Sequence, residues 1–289
     1  MTSEEIMLAL TIGLAFAAAA SDGLLLDRPG GTVAYEVIGA DGPVVLCAPG
    51  IGDVRGQYRF LAPQLVDAGY RVVLMDLRGL GDSSAEFESY SADAIGDDMV
   101  ALLQQLRVQH ATIIGNSASA ASAVWAAAEL PDVVANIVLI GPFVRVMPAP
   151  WYQRALLKVA FNGFWARPAW MAYYGSLYPT RKPDDFAAYK AALSQSLDGR
   201  MRVVNAMLSA SKAASEAKLD EVKARALVVM GSRDPDFPKP ADEAALVAAR
   251  LNGSVLMVEG AGHYPHAEMS DATAPPIIAF LNEGRADGR

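Results

Sequence analysis

The stretch "TIIGNSASAASAVW", residues 112–125, decides the fold. Two β-branched isoleucines, Ile113 and Ile114, read as the end of a buried strand. Gly115, Asn116 and Ser117 follow, then a row of very small side chains, Ala118 to Ser122. A Ser between a strand end and a helix start sits on a tight turn, with strained backbone angles and no room for bulky neighbours. Gly115 and Ser119, two positions to either side of Ser117, meet that demand. The small residues beyond let the helix lie close against the sheet. Its first turn offers oriented N–H groups beside the Ser117 hydroxyl, where developing negative charge is favoured.

Outward from this turn the chain alternates. "GLLLDRPGGTVAYEVIGADGP" reads as two antiparallel strands, and "VVLCAP", "YRVVLMDL", "HATIIG" and "VANIVLIGP" as buried strands without polar alternation. Helical spacing lies between them, in "YRFLAPQLVDAG", "DAIGDDMVALLQQLRV" and "SASAASAVWAAAEL". From about Val146 to Lys218 no strand is expected. That segment is helical and aromatic, with Trp151, Tyr152, Phe161, Phe164, Trp165, Trp170, Tyr173, Tyr174 and Tyr178. The alternation then resumes with "ARALVVMG", "PADEAALVAARLN", "GSVLMVEG" and "ATAPPIIAFLNEG". The pattern predicts an α/β fold, a mostly parallel doubly wound sheet with a helical insertion. The core is expected to comprise residues 23–145 and 219–289, the insertion 146–218, and an additional N-terminal apolar helix 1–22.

Over 289 residues, 53% hydrophobic and 19% charged, the chain can bury a large core. A net charge of −8 without any Lys/Arg block argues against nucleic-acid binding. The single cysteine, Cys47, lies in the apolar run "PVVLCAPG" and reads as a buried strand thiol. The segment "IMLALTIGLAFAAAA", residues 6–20, resembles a signal-peptide core, but it is short for a membrane span and follows the acidic "MTSEE". A docked helix on a cytoplasmic protein is the expectation, with export or membrane association through residues 6–20 as the alternative. No integral membrane span is expected. A homodimer is an open possibility.

Activation of a Ser requires a base, and the chain has three histidines. His110 precedes the Ser117 strand and belongs at the opposite edge of the sheet. His263, in "VEGAGHYPHAE", follows a strand and belongs at the C-terminal edge, where open α/β sheets bind ligands. "VVMGSRDPDFP" places Asp234 at the same edge as the orienting carboxylate, with Asp236 as its competitor. Metal binding by His263 and His266 is disfavoured, because Gly262 and Pro265 break the helix that an H-x-x-H pair would need. His266 is expected as a loop-packing or rim residue. "GLGDSS" lacks the third glycine of a dinucleotide fingerprint and reads as a turn tied down by Arg78 and Asp82.

With "APGIGD", "DLRGLGDSS", "GNSAS", "GSRDPDFP" and "GAGHYPHAE" in this order, each after a strand, the sequence resembles the α/β-hydrolase superfamily in its helical-capped bacterial esterase-like branch. The resemblance runs from about residue 24 to the end. It implies Ser117 as nucleophile, His263 as general base, Asp234 as orienting acid, and the backbone N–H groups of Ile51 and Ala118 as an oxyanion hole. Two positions depart from the family pattern: Ser119 stands where Gly is usual, and Ala48-Pro49-Gly50 where His-Gly is common. A cap over Ser117 implies a pocket drawn from Trp151, Phe161, Phe164, Trp165, Tyr174 and His266. A small, largely apolar carboxylic ester is the expected substrate, with no cofactor and no metal. Lactonase, C–C bond hydrolase, thioesterase, acyltransferase and cofactor-free haloperoxidase share these motifs, and Arg145, Arg154 or Arg167 could hold a substrate carboxylate. A ligand sensor on the same scaffold is the alternative from another class.

Overall fold

The computed structural model describes residues 23–39, 41–146 and 159–286. The N-terminal segment 6–20, Trp151 and Arg154 lie outside the described residues. Two antiparallel strands, β1 (Leu24–Arg28) and β2 (Gly31–Ile38), lead into β3 (Val44–Ala48), β4 (Arg71–Met75), β5 (Ala111–Asn116), β6 (Val134–Ile140), β7 (Arg225–Gly231) and β8 (Ser254–Val258). They form one sheet in the order β1-β2-β4-β3-β5-β6-β7-β8. β2 meets β4 antiparallel, and every pairing from β4 to β8 is parallel. β3 and β5 are neighbours, yet the chain leaves them towards opposite sides of the sheet. The crevice past their C-terminal ends is where such a sheet receives a ligand.

Helices cover both faces. α1 (Leu61–Asp67) follows a short 3₁₀ turn at Arg55–Tyr58; α2 (Ala92–Gln105) and α3 (Ser119–Glu129) follow β4 and β5. Between β6 and β7 lie α4 (Ala166–Ser176), α5 (Phe186–Ser196), α6 (Met201–Ser209) and α7 (Ala213–Ala217); the described residues of this segment contain no strand. α8 (Pro240–Arg250), α9 (Pro265–Glu268) and α10 (Ser270–Ala286) complete the fold. Alternate residues of each central strand enter opposite layers, as the two-residue period of a strand requires. Leu46 and Ile113 pack with α2, α3 and α8, while Val45, Cys47 and Ile114 pack with α1 and α10. Cys47 is fully buried, and burial pushes its thiol pKa up, so it stays protonated.

The small residues after Ser117 have a packing role. A Cβ at Gly115 would stand 2.5 Å from the Ser119 carbonyl oxygen, so helix and strand touch backbone to backbone there. α3 buries Ala120, Ala121, Ala123, Ala126 and Ala127, and Gly96 of α2 admits the Trp125 ring. The turn after β4 is held by ions. Arg78 and Arg28 both donate to Asp98 at 2.7 Å, and Asp98 is fully buried. Asp82 accepts from Arg55 at 2.7 Å, and Arg55 also pairs with the buried Asp76.

Candidate active site

Ser117 has φ +57°, a left-handed conformation that a side chain with a Cβ adopts only under constraint. The constraint is visible in the backbone. Ser117 donates its N–H to the Ile140 carbonyl at 2.8 Å, and its carbonyl accepts from Phe143 and Ala120, each at 3.1 Å. The turn therefore bridges β6 and the start of α3, and it sets the Ser117 side chain beside Gly50 of the loop after β3, where an added Cβ would stand 3.2 Å from Ser117 Cβ.

His263 and Asp234 stand at the same edge. His263 Nδ1 lies 2.7 Å from Asp234 Oδ2, and both residues are buried. Asp234 Oδ1 accepts the Asp236 N–H at 3.0 Å. Asp236 Oδ2 is 3.7 Å from the same imidazole nitrogen, and its carboxylate accepts the Tyr173 hydroxyl at 2.7–2.8 Å. Asp234 is thus the carboxylate bonded to His263. Gly141 makes the approach possible, since a Cβ there would meet His263 Nδ1 at 2.9 Å. Phe143, Phe237 and Tyr264 surround the ring at centroid distances of 5.3–6.4 Å. Burial disfavours the imidazolium, but the Asp234 and Asp236 carboxylates and the Asp234 hydrogen bond outweigh it; the His263 pKa is pushed up to about 9. Ser117 is bound to the His263 loop through its neighbour: Asn116 Nδ2 donates to the His263 carbonyl at 3.3 Å and to the Ile140 carbonyl at 3.1 Å. No hydrogen bond joins the Ser117 hydroxyl to His263 among the described residues, which is common before a substrate tightens such a site.

The loop after β3 faces this turn. Ile51 and Ala118 line one narrow cleft, and neither backbone N–H donates to an acceptor among the described residues. Ser119 Oγ donates to the Pro49 carbonyl at 2.5 Å. The residue that replaces the usual glycine therefore ties the loop to α3. Gln57 completes the anchor, accepting the Gly50 N–H at 2.9 Å. Its amide nitrogen lies 2.9 Å from both Asn116 Oδ1 and His266 Nε2. With two N–H bonds for these two partners, His266 Nε2 is the acceptor and His266 carries its proton on Nδ1. Burial, Arg59 and His263 pull the His266 pKa down to about 3, so this imidazole is neutral. Gln57→Leu leaves the Gly50 N–H, Asn116 Oδ1 and His266 Nε2 unpaired in the core. It is expected to cost about 2–4 kcal/mol in urea denaturation.

The aromatic positions divide. Tyr174 is buried against Tyr178, Tyr264 and Phe186. Phe161 packs edge-on to Trp170, whose ring lies on Gly52 of the loop after β3, with Nε1 donating to the Gly52 carbonyl at 3.3 Å. Three expectations need correction. Phe164 is 91% exposed on the turn ahead of α4; it touches Trp165 and borders a surface hollow with Phe161, Arg167 and Asn205, apart from the cleft at Ile51 and Ala118. Trp165 is 44% exposed, with its indole donating to the Val159 carbonyl. His266 takes the loop-packing place rather than a rim or pocket one: it lies in the core, stacked on Tyr58 and bonded to Gln57. Arg145 is held by Glu243 at 2.5–2.8 Å, and Arg167 pairs with Asp198 at 3.0 Å. Sequence reasoning missed Gln57, Asn116 and Trp170 as supports of the site. Asn116 stands in the quoted turn itself, whereas Gln57 carries no recognisable motif.

Asp53 ends the loop after β3 as a fully buried carboxylate that accepts the Tyr189 hydroxyl at 2.6 Å; burial raises its pKa to about 6. Among the described residues one group has spacing compatible with a metal, Asp234, Asp236 and His263, with candidate ligand atoms within 4.8 Å of one another. Hydrogen bonds to His263 and Tyr173 account for both carboxylates there. No helix of the described residues is long and apolar enough to cross a membrane.

The sequence profile of the alpha/beta hydrolase fold matches residues 43–269. The chain belongs to the alpha/beta hydrolase fold family. Among curated relatives, this alpha/beta hydrolase is 25% identical over 248 residues to 2-(acetamidomethylene)succinate hydrolase of Mesorhizobium japonicum, covering 83% of this chain and 88% of that one. It is 36% identical over 100 residues to bifunctional epoxide hydrolase 2 of Sus scrofa, a match spanning 34% of this chain and only 18% of the relative. In solved structures, the alpha/beta hydrolase superposes on bromoperoxidase from Bacillus anthracis with a TM-score of 0.79 at 19% identity, covering 90% and 99% of the two chains. Enol-lactonase from Burkholderia xenovorans gives 0.73 at 19% identity, covering 90% and 100%. At that identity the structural likeness speaks for the fold alone.

Proposed function

We propose that this alpha/beta hydrolase is a serine hydrolase that cleaves a carboxylic ester or closely related acyl bond of a small substrate. The observation that carries the proposal is the Asp234–His263 pair at 2.7 Å, at the sheet edge where Ser117 sits on its left-handed turn. The unpaired amides of Ile51 and Ala118 share one cleft beside it. Ser117 Oγ attacks the carbonyl carbon while its proton passes to His263 Nε2. Asp234 holds the proton on Nδ1 and stabilises the imidazolium. The carbonyl oxygen takes up the negative charge between the two amides, at the positive end of α3. The bond to the alcohol breaks, and the His263 proton leaves with the alcohol oxygen. Water, deprotonated by His263, then attacks the acyl carbon, Ser117 departs, and the acid is released. No cofactor enters these steps. The segment 146–218 serves as the cap, with Trp170 and Tyr174 of α4 as its contacts towards the site. Thioester, lactone or C–C bond cleavage would use the same acyl-enzyme and differ in the leaving group. A sensor would retain the first acyl group rather than turn over.

Reaction with a fluorophosphonate probe tests the proposal. A single adduct is expected on the peptide that carries Ser117. Because His263 must be neutral to accept the proton, the rate of labelling is expected to rise with pH through about 9, and at pH 7 to be about a hundredth of its plateau. Labelling elsewhere, or none up to pH 10, overturns the assignment.

A further inference from the structure

Two carboxylates flank one nitrogen of the His263 ring. Asp234 Oδ2 lies 2.7 Å from Nδ1, and Asp236 Oδ2 lies 3.7 Å from it. A carboxylate that close to an N–H donor needs only a small rotation to accept from it. The two acids differ in the donors they already hold. Asp234 Oδ1 takes the Asp236 N–H at 3.0 Å. The Tyr173 hydroxyl is shared between both oxygens of Asp236, at 2.8 Å from Oδ1 and 2.7 Å from Oδ2. Tyr173 belongs to α4, and its ring is fixed against Phe161 and Trp170 at centroid distances of 5.9 and 5.3 Å. The same helix reaches the backbone of the base: the Leu177 carbonyl, at its C-terminal end, accepts the His263 N–H at 3.0 Å. Burial and the charge of Asp236 hold the Tyr173 phenol well above its ordinary pKa, so it remains a donor. The other groups around the imidazole carry no charge. Phe143 and Phe237 are apolar, burial keeps the Tyr264 hydroxyl protonated, and His266 is neutral. The electrostatic balance at His263 Nδ1 is therefore set by Asp234, Asp236 and one phenol.

We propose that Tyr173 is a positioning residue for the general base: by engaging both oxygens of Asp236, it keeps that carboxylate off His263 Nδ1 and leaves the imidazole to Asp234. The inference rests on the serine-hydrolase reading for the role of His263 as base, but the contest between the two carboxylates belongs to the resting protein. Without the phenol, Asp236 loses its one side-chain donor among the described residues, while the Nδ1–H of His263 stands 3.7 Å away. The ring then turns partly towards Asp236 and away from the geometry that Asp234 fixes. The Asp236 charge is also no longer spread over a hydrogen bond, so it favours the imidazolium more strongly.

Proton NMR titration of His263 tests this without turnover, in the wild type, Tyr173→Phe, Asp236→Asn and the double variant. Tyr173→Phe keeps the ring that packs on Phe161 and Trp170 and removes only the donor. It is expected to raise the His263 midpoint by about half a pH unit or more. In the Asp236→Asn background the same change should move the midpoint by about 0.2 unit or less, because the carboxylate it restrains is gone. With 4-nitrophenyl butyrate, Tyr173→Phe should lower plateau kcat about tenfold and leave KM within about twofold, and the double variant should match Asp236→Asn alone. An unmoved midpoint in Tyr173→Phe overturns the proposal. So does an equal shift in both backgrounds, which is what a general loosening of α4 would produce, and so does an unchanged plateau kcat in a protein that cleaves the ester. If none of the four proteins cleaves esters while the NMR pattern holds, the hydrolase reading fails and the hold of Tyr173 on the His263 surroundings stands.

Discussion

Replacing Ser117 with Ala is expected to lower kcat for 4-nitrophenyl butyrate by about 10⁴- to 10⁶-fold, as removal of a nucleophile does in enzymes of this type. The proposed acyl-enzyme depends on that one oxygen, and neighbouring hydroxyls cannot replace it. Ser119 is committed to the Pro49 carbonyl, and Ser122 is fully buried inside α3. Loss of activity through misfolding is separable from loss of chemistry. Ser117 holds φ +57°, which glycine adopts without strain, so Ser117→Gly should be as inactive as the alanine variant yet about 1 kcal/mol more stable. Thermal melts beside the kinetics check this. Turnover by Ser117→Ala near the wild-type rate would remove the nucleophile from the proposed mechanism.

Asp234→Asn should reduce kcat by about 10⁴-fold, the scale seen when the carboxylate behind a catalytic imidazole becomes an amide. The amide keeps the shape but can present N–H to His263 Nδ1, which turns the ring towards the wrong tautomer. Asp236→Asn should behave differently. Asp236 lies 3.7 Å from the same nitrogen and is bonded to Tyr173, so its effect on His263 is mainly one of charge. Loss of that negative charge should move the inflection in labelling rate to lower pH, with a fall in plateau activity of about tenfold or less. Comparable losses from the two substitutions would mean that the acids share the orienting role.

The central strands of the sheet were legible in the sequence because they are buried on both faces. Runs such as "VVLCA" and "ATIIG" have one interpretation in a chain that alternates with helices. Strand ends also placed Ser117, Asp234 and His263 at one edge before any coordinate was known, since topology alone carries the C-terminal ends of parallel strands there. The supports of the site were not legible. Gln57 reaches Asn116 and His266 across 59 and 209 residues of chain, and no local pattern encodes a side-chain hydrogen bond over such spans. The exposed Phe164 and the buried Phe161 stand three positions apart in the same aromatic run; Phe161 packs against Trp170 and Tyr173, whereas Phe164 meets Trp165 on the outside.

The clamp on His266 makes the protein convenient to titrate. Its three imidazoles are chemically distinct: His110 is exposed ahead of β5, His266 is locked neutral down to about pH 3, and His263 gains its proton near pH 9. In a proton NMR titration from pH 5 to 10, the His266 ring signals should therefore stay fixed and serve as an internal reference. The resonance that moves at high pH would report the protonation state of the base directly, in the resting protein and without any substrate.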